Sequence, residues 1–307
     1  MPDNNNDVIS PEMLVLIITA TVIGIVARYL SIKLDYRQYP NYPNGYLIHI
    51  VTGALAAMIG AFIIPTVMTK NFTAVTFLGL AAQHFRDVRK VERESLLDLE
   101  GDEFTRRGDA YIDGIAKIFE SRNYITLLVS FACALLIQIL QEFFDVAFWI
   151  QIVSGSIVGL IVFFALKHFT SRQQISDIAT VEEGKIEIKG SDLYVNDMFV
   201  YNLAGREEAK EWFLNDGLAA VIRPTKDHFQ IPLFNGGQRQ AILFETTRRI
   251  GQKKLYSVEN PGSGVIIIVL VPIIKSSDLL KETILMTPLL ETVKKNPELL
   301  HEHGNGG

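Results

Sequence analysis

The sequence predicts a polytopic α-helical membrane domain of about five spans followed by a soluble α+β domain. Three observations predict it. Apolar stretches of transmembrane or near-transmembrane length are confined to residues 1–170, residues 171–307 alternate short apolar runs with charges, and Lys and Arg gather on alternate loops. Averages conceal the division, since 307 residues at 49% hydrophobic and 21% charged resemble a soluble protein. The mean hydropathy of +0.23 already leans the other way.

A bilayer core about 30 Å thick asks for roughly 20 apolar residues of helix, because only a helix satisfies its own backbone there. Met13–Leu30, Tyr46–Met68, Tyr124–Leu140 and Phe148–Phe169 meet that demand. Thr73–Phe85 is apolar for only about a dozen residues, and by length alone reads as re-entrant or interfacial. Charge decides for a crossing. The N-terminal segment 1–12 has three acids and no base, which places it outside, whereas Arg28, Lys33 and Arg37 flank an inner first loop. The loop 86–123 carries Arg86, Arg89, Lys90, Arg93, Arg106, Arg107, Lys117 and Arg122, so it is expected inside as well. Both loops can be inside only if residues 72–85 cross back. Glu142 and Asp145 mark an outer turn, and Lys167 with Arg172 bring the chain in again. The membrane domain is therefore expected over residues 13–170, and the soluble domain, residues 180–298, in the cytoplasm. The first span lacks the basic flank and cleavage site of a signal peptide and is expected to stay as an anchor.

Small residues supply packing signals. Gly53, Ala57 and Ala61 form a stripe in the second span, and Gly155 and Gly159 make a GxxxG in the fifth. They predict close helix approach within one bundle, with a homo-oligomer face as the alternative. His49 is the titratable residue inside a span. It reads as a helix-to-helix hydrogen-bonding group, with a pH-sensing role as the alternative. From Gln83 to Leu99 the third helix continues with mixed charges, and Gly101 breaks it. Asp109–Asn123 then places Tyr111, Ile112, Ile115, Ile118 and Phe119 on one face, as an interfacial helix leading into the fourth span.

In the soluble domain Lys185–Lys189 and Leu193–Val200 read as strands with a possible turn at Asn196-Asp197, and Arg206–Asn215 as a helix ending at Gly217. Ala219–Arg223 and Phe229–Phe234 are expected as short strands. Gln238–Ile250 is a helix closed by Gly251, Lys254–Val258 and Gly264–Ile274 are strands, and Ser277–Lys295 is a final helix interrupted at Pro288. The run 264–274 is too short to span and fits a strand buried on both faces. The tail, residues 299–307, is expected to be disordered.

Chemistry is thin. Neither half is basic, with 13 basic against 16 acidic residues up to 170 and 16 against 18 afterwards, so no nucleic-acid partner is expected. A single cysteine, Cys133, excludes a disulfide or CxxC site within one chain. No GxGxxG after a strand, P-loop, HExxH, GxSxG or kinase set occurs. No cofactor is expected. His301, Glu302 and His303 lie on a terminal tail without a rigid second layer of partners, so no metal is expected either. Asn235-Gly236-Gly237-Gln238-Arg239 opens a helix, where Gly236, Gly237 and Arg239 could receive an anion, or the glycines could simply turn the chain.

At Tyr111, Ile112, Asp113, Gly114, Ile115 and Ala116 the chain resembles the signature that names the YIEGIA family of membrane proteins from endospore-forming Firmicutes. Residues 71–97 resemble that family too, as does the order of spans and soluble domain. Asp113 stands where the family name has Glu, which keeps a carboxylate and shortens its reach by one methylene. The resemblance implies a sporulation-linked role in spore-envelope assembly and brings no enzyme activity. The expectation is a non-enzymatic scaffold or envelope-assembly factor of the cell membrane, with the lipid bilayer and other membrane or sporulation proteins as partners. A small-ion or metabolite transporter using His49, and a membrane-tethered ligand sensor using Asn235–Arg239, are the alternatives.

Overall fold

The computed structural model describes residues 10–35, 43–101, 103, 105–144, 146–170 and 173–293. Expectations for the N-terminal segment 1–9, for Arg37, Asp145 and Arg172, and for the tail with His301, Glu302 and His303 lie outside these residues. The chain divides into two compact units. One comprises residues 1–95 with 115–171, the other residues 96–114 with 172–307.

The first unit is helical: α1 (Pro11–Asp35), α2 (Pro43–Met68), α3 (Phe72–Leu99), α4 (Asp109–Phe143) and α5 (Phe148–Phe169). Four of them, α1, α2, α4 and α5, are long and apolar enough to cross a membrane. The fifth segment does not meet that standard by itself, although α3 is one unbroken helix from the apolar stretch into the charged one. Leu14, Ile18 and Val22 on α1, and Val153, Ile157 and Ile161 on α5, repeat every four residues and are exposed. Water would penalise such stripes, and acyl chains suit them. Inside, small residues let backbones meet. A Cβ on Gly155 would stand 2.5 Å from Ile137 of α4, and one on Gly159 would stand 2.9 Å from Ile23 of α1. Ala57 and Ala61 are fully buried, and the Ser130 hydroxyl reaches the carbonyls of Ala20 and Ala57. The small-residue rows thus pack inside this chain.

The turn Thr69–Asn71, with Lys70 at φ +53°, reverses α2 into α3, and the Asn71 side chain caps the Ala74 N–H at 3.0 Å. Farther along, Phe85 meets Tyr124 edge-on at 5.4 Å and Arg89 pairs with Glu120 at 3.4 Å.

The second unit is built on a four-stranded antiparallel sheet of β1 (Ala179–Glu183), β5 (Leu218–Pro224), β6 (Gln252–Asn260) and β7 (Val265–Pro272), in the order β1-β5-β7-β6. A meander of β2 (Ile186–Lys189), β3 (Asp192–Val195) and β4 (Met198–Asn202) forms a second sheet. Asn196 and Asp197 both have positive φ, 49° and 63°, the geometry of the tight hairpin turn expected there. β7 is buried along its whole length. Ile266, Ile268 and Leu270 face a core shared with α8 (Gly236–Ile250) and α9 (Ser277–Leu285), while Val265, Ile267 and Val269 face one shared with α6 (Glu207–Asp216) and the meander. Both faces are covered, so the strand needs no alternation.

Two expected elements differ. Phe229–Phe234 is helical, a 3₁₀ turn at Asp227–Phe229 running into α7 (Gln230–Leu233), because Phe229 and Leu233 reach the core at helical spacing. Pro232 sits in the first turn, where its missing N–H costs nothing. The final helix ends at Leu285 rather than Lys295. Pro288 cannot continue it, and the chain straightens to pair with Gln173–Ile175 through Leu289 N–H and Thr287 C=O. β1 was not anticipated, since ATVEE at a sheet edge has neither alternation nor a dense apolar run.

Candidate functional site

Two constellations stand out, one in each unit. In the helical unit Arg28 of α1 is 2% exposed although it lies in a candidate span. Its Nε donates to the His49 carbonyl on α2 at 3.1 Å, Nη2 lies 3.4 Å from His49 Nδ1, and the guanidinium sits 4.9 Å from the centre of the Phe119 ring on α4. The His49 and Phe119 rings are 4.6 Å apart. Room for the arginine comes from Gly53, where a Cβ would lie 2.3 Å from Arg28 Cγ. Sequence reasoning singled out His49 and Gly53 and treated Arg28 as a loop-flanking charge. The missed signal was an arginine inside an apolar helix facing a glycine one turn from a histidine.

Glu92 of α3 completes the surroundings. Burial pushes its carboxyl above the usual glutamate range, opposed by the attraction of the Arg28 guanidinium. An acid whose folded pKa is raised destabilises the fold as pH climbs from its ordinary value through the raised one, and not below. Glu92→Gln is therefore expected to leave the unfolding temperature unchanged near pH 4 and to raise it at neutral pH, measured by thermal unfolding of the full-length protein in detergent. A lower value at neutral pH would mean that the attraction outweighs the burial.

In the second unit the constellation is built around residues 96–114 and α8. Gly108, at φ +84°, turns the chain into α4. Arg107, 4% exposed, donates through Nη1 to Glu100 at 3.2 Å and through Nη2 to Glu103 at 2.8 Å, and its guanidinium lies 4.7 Å from the Phe244 ring centre. Tyr111, 2% exposed, donates its hydroxyl to Glu245 at 2.6 Å, and the other Glu245 oxygen accepts from Arg248 at 2.7 Å. Thr105 meets Thr247, and Gln240 donates to the Arg106 carbonyl. The segment is thus an integral part of the α+β unit.

The motif residues divide accordingly. Tyr111, Ile112, Ile115 and Ala116 are buried, while Asp113 and Gly114 are partly exposed. Tyr111→Phe is expected to cost about 1.5–3 kcal/mol, the worth of a hydrogen bond to a charged acceptor. Hydrogen exchange should then quicken over residues 96–114 while the β7 amides stay protected.

At the other end of α8, Asn235 caps the helix by accepting from the Gln238 N–H at 3.2 Å, and Arg239 is paired with Glu259. A Cβ on Gly237 would lie 3.2 Å from Asn235 Oδ1, and Gly236 has open space around it. An anion there would have to compete with Glu259 for the guanidinium. Gln238 is fully buried and clamps the segment after α9, donating to Pro288 C=O at 3.0 Å and accepting from Leu290 N–H at 2.8 Å. Among the described residues no group of three or more His, Cys, Asp or Glu is placed to hold a metal.

Apolar helices fit to cross a bilayer, joined to an α+β unit that incorporates the segment preceding α4, define the class: a multi-span membrane-type protein with a C-terminal β-sheet unit. The YIEGIA protein family model matches residues 16–300, and the chain belongs to that family. It is similar to YphB of Bacillus subtilis, described as an uncharacterized protein, with 38% identity over 235 residues that cover 76% of this chain and 75% of YphB. No solved structure matches.

Proposed function

We propose that the protein is a non-enzymatic scaffold of the cell membrane with five crossings, its N-terminus outside and its C-terminal unit in the cytoplasm, where it serves other membrane or sporulation proteins. The observation that carries the scaffold reading is the use made of the motif. Tyr111, Ile112, Ile115 and Ala116 are buried and the Tyr111 hydroxyl is held by Glu245, so the signature residues build a framework and do not line an open cleft. A relative in Bacillus subtilis, an endospore-forming Firmicute, favours the sporulation setting.

Geometry favours the fifth crossing. At 1.5 Å per residue, α2 rises about 28 Å from His49 to Met68, and α3 runs about 26 Å from Phe72 to Arg89. α3 starts just after α2 ends, and Arg89 reaches Glu120, the neighbour in sequence of Phe119, which touches His49. A helix that leaves from the far end of α2 and returns to the level of its near end covers the same depth.

Reporter fusions at residues 70, 104, 145 and 180 test the topology. Positions 70 and 145 are expected outside and 104 and 180 inside; an external signal at 180 sinks the arrangement. For the scaffold role, crosslinking and pull-down from sporulating cells is expected to recover the same partners from independent cultures. Their consistent absence defeats it.

A further inference from the structure

α3 differs from its neighbours in what it leaves uncovered. On the other helices the exposed positions at mid-span are large and apolar, as in the stripes of α1 and α5 and at Leu55 and Met58 of α2 and Leu128 and Leu135 of α4. On α3 they include Thr73, Thr76, Gly79 and Gln83. With about 100° of rotation per residue, Ala74, Leu78, Ala81 and Phe85 fall on one side of this helix, and Thr73, Thr76, Leu80 and Gln83 on the opposite side. The first row is buried or half-buried, with Phe85 resting on Tyr124, and the second is exposed. α3 is packed along one face and bare along a polar one.

In a helix that crosses the membrane, such a face meets either acyl chains or another helix. Acyl chains offer a glutamine amide nothing to bond, whereas small and polar residues are the composition by which membrane helices pair. A Cβ on Gly79 would meet nothing within 4 Å, so a second backbone can approach closely there. Thr76 gives its hydroxyl to the Phe72 carbonyl at 2.9 Å on its own helix and brings no unmet donor into the contact. The face is also complementary to itself. Copies inserted in one membrane with the same topology are related by a two-fold axis along its normal, which sets each residue of α3 opposite its twin. No charge lies between residues 73 and 83 to repel that twin, and Gln83, with a carbonyl and an NH2 group, can both donate to and accept from an identical side chain. Charge returns at Arg86 and Asp87, where the helix reaches water. We infer that α3 pairs with the α3 of a second copy of this chain along Thr76, Gly79 and Gln83, the two Gln83 amides hydrogen-bonded to each other. The inference rests on the fifth crossing proposed above.

Cysteine substitutions in the full-length protein, oxidised with copper phenanthroline in native membranes, test the pairing. The sequence has one cysteine, Cys133, and it is buried, so the unaltered chain is the blank. Thr76→Cys and Gln83→Cys are expected to give a disulfide-linked product of twice the chain's mass. Val75→Cys and Phe77→Cys, at exposed positions turned about 100° to either side of Thr76, should give little. Gln83→Leu is expected to weaken self-association of the full-length protein in detergent by roughly three- to thirtyfold, read by analytical ultracentrifugation, as loss of a hydrogen bond between membrane helices does. Equal linkage at all four positions, linkage at none, linkage only to a protein of another size, or association unchanged in Gln83→Leu overturns the assignment. A reporter at residue 70 separates the causes of failure: an external signal without linkage removes the pairing and leaves the crossing, whereas an internal signal removes both.

Discussion

Ile267→Ala is expected to destabilise the C-terminal unit by about 2–5 kcal/mol, the range for truncating a fully buried isoleucine. Ile267 is 0% exposed and central in β7, paired with Val221 of β5 and Val258 of β6. Its side chain enters the core formed with Leu193, Val195 and Phe213, elements drawn from the meander and α6 as well as the sheet. Neighbouring strands are hydrogen-bonded on both sides and cannot slide in to fill the space, so the cavity term is felt in full. Native-state hydrogen exchange on the full-length protein should show the β5 and β7 amides losing protection together. Ile188→Ala, on the partly exposed β2, is the comparison and should cost far less. Equal losses at the two positions would mean that the meander and the main sheet unfold as one weakly packed body.

Arg28→Ala should have the largest effect in the helical unit, about 3–5 kcal/mol, the usual cost of removing one member of a buried charged cluster. The substitution removes the donor to the His49 carbonyl, the cation over the Phe119 ring and the countercharge to Glu92, and it leaves a void beside Gly53. Gly53→Val alone should also destabilise, since even its Cβ would overlap Arg28 Cγ. If the arginine and the glycine are sized for each other, the double variant should be more stable than the sum of the two losses predicts. Thermal unfolding in detergent reads all three proteins. Strict additivity would show that the close approach carries no coupling.

The fold was legible wherever one physical rule acts alone. Long apolar helices, the hairpin at Asn196-Asp197, the helix entered at Asn235 and closed at Gly251, and the doubly buried β7 all follow from local sequence. Competing rules explain the failures. At Phe229–Phe234 a short apolar run fits a strand or a helix equally well, and tertiary burial of Phe229 and Leu233 decided between them. At β1, edge pairing with β5 imposes extended backbone on residues whose own preference is weak. The run of mixed charges after α3 did not reveal that Arg107 is clasped by Glu100 and Glu103 against Phe244. The Arg28 cluster could not be read from one helix, because burial of an arginine depends on what three other helices place around it.

The placement of β7 also has a consequence for how the chain is made. The ribosome delivers Val265–Pro272 before α9, whose Leu280 and Ile284 complete, with α8, the core on one side of the sheet that holds that strand. Until residues 277–285 emerge, the growing polypeptide displays an uncharged row of β-branched side chains with the makings of a cross-β adhesive. A stop codon falling between 273 and 276 would leave the core on that side permanently short of Leu280 and Ile284, so such truncations should end as inclusion bodies or protease fragments, whereas stops beyond 293 should not.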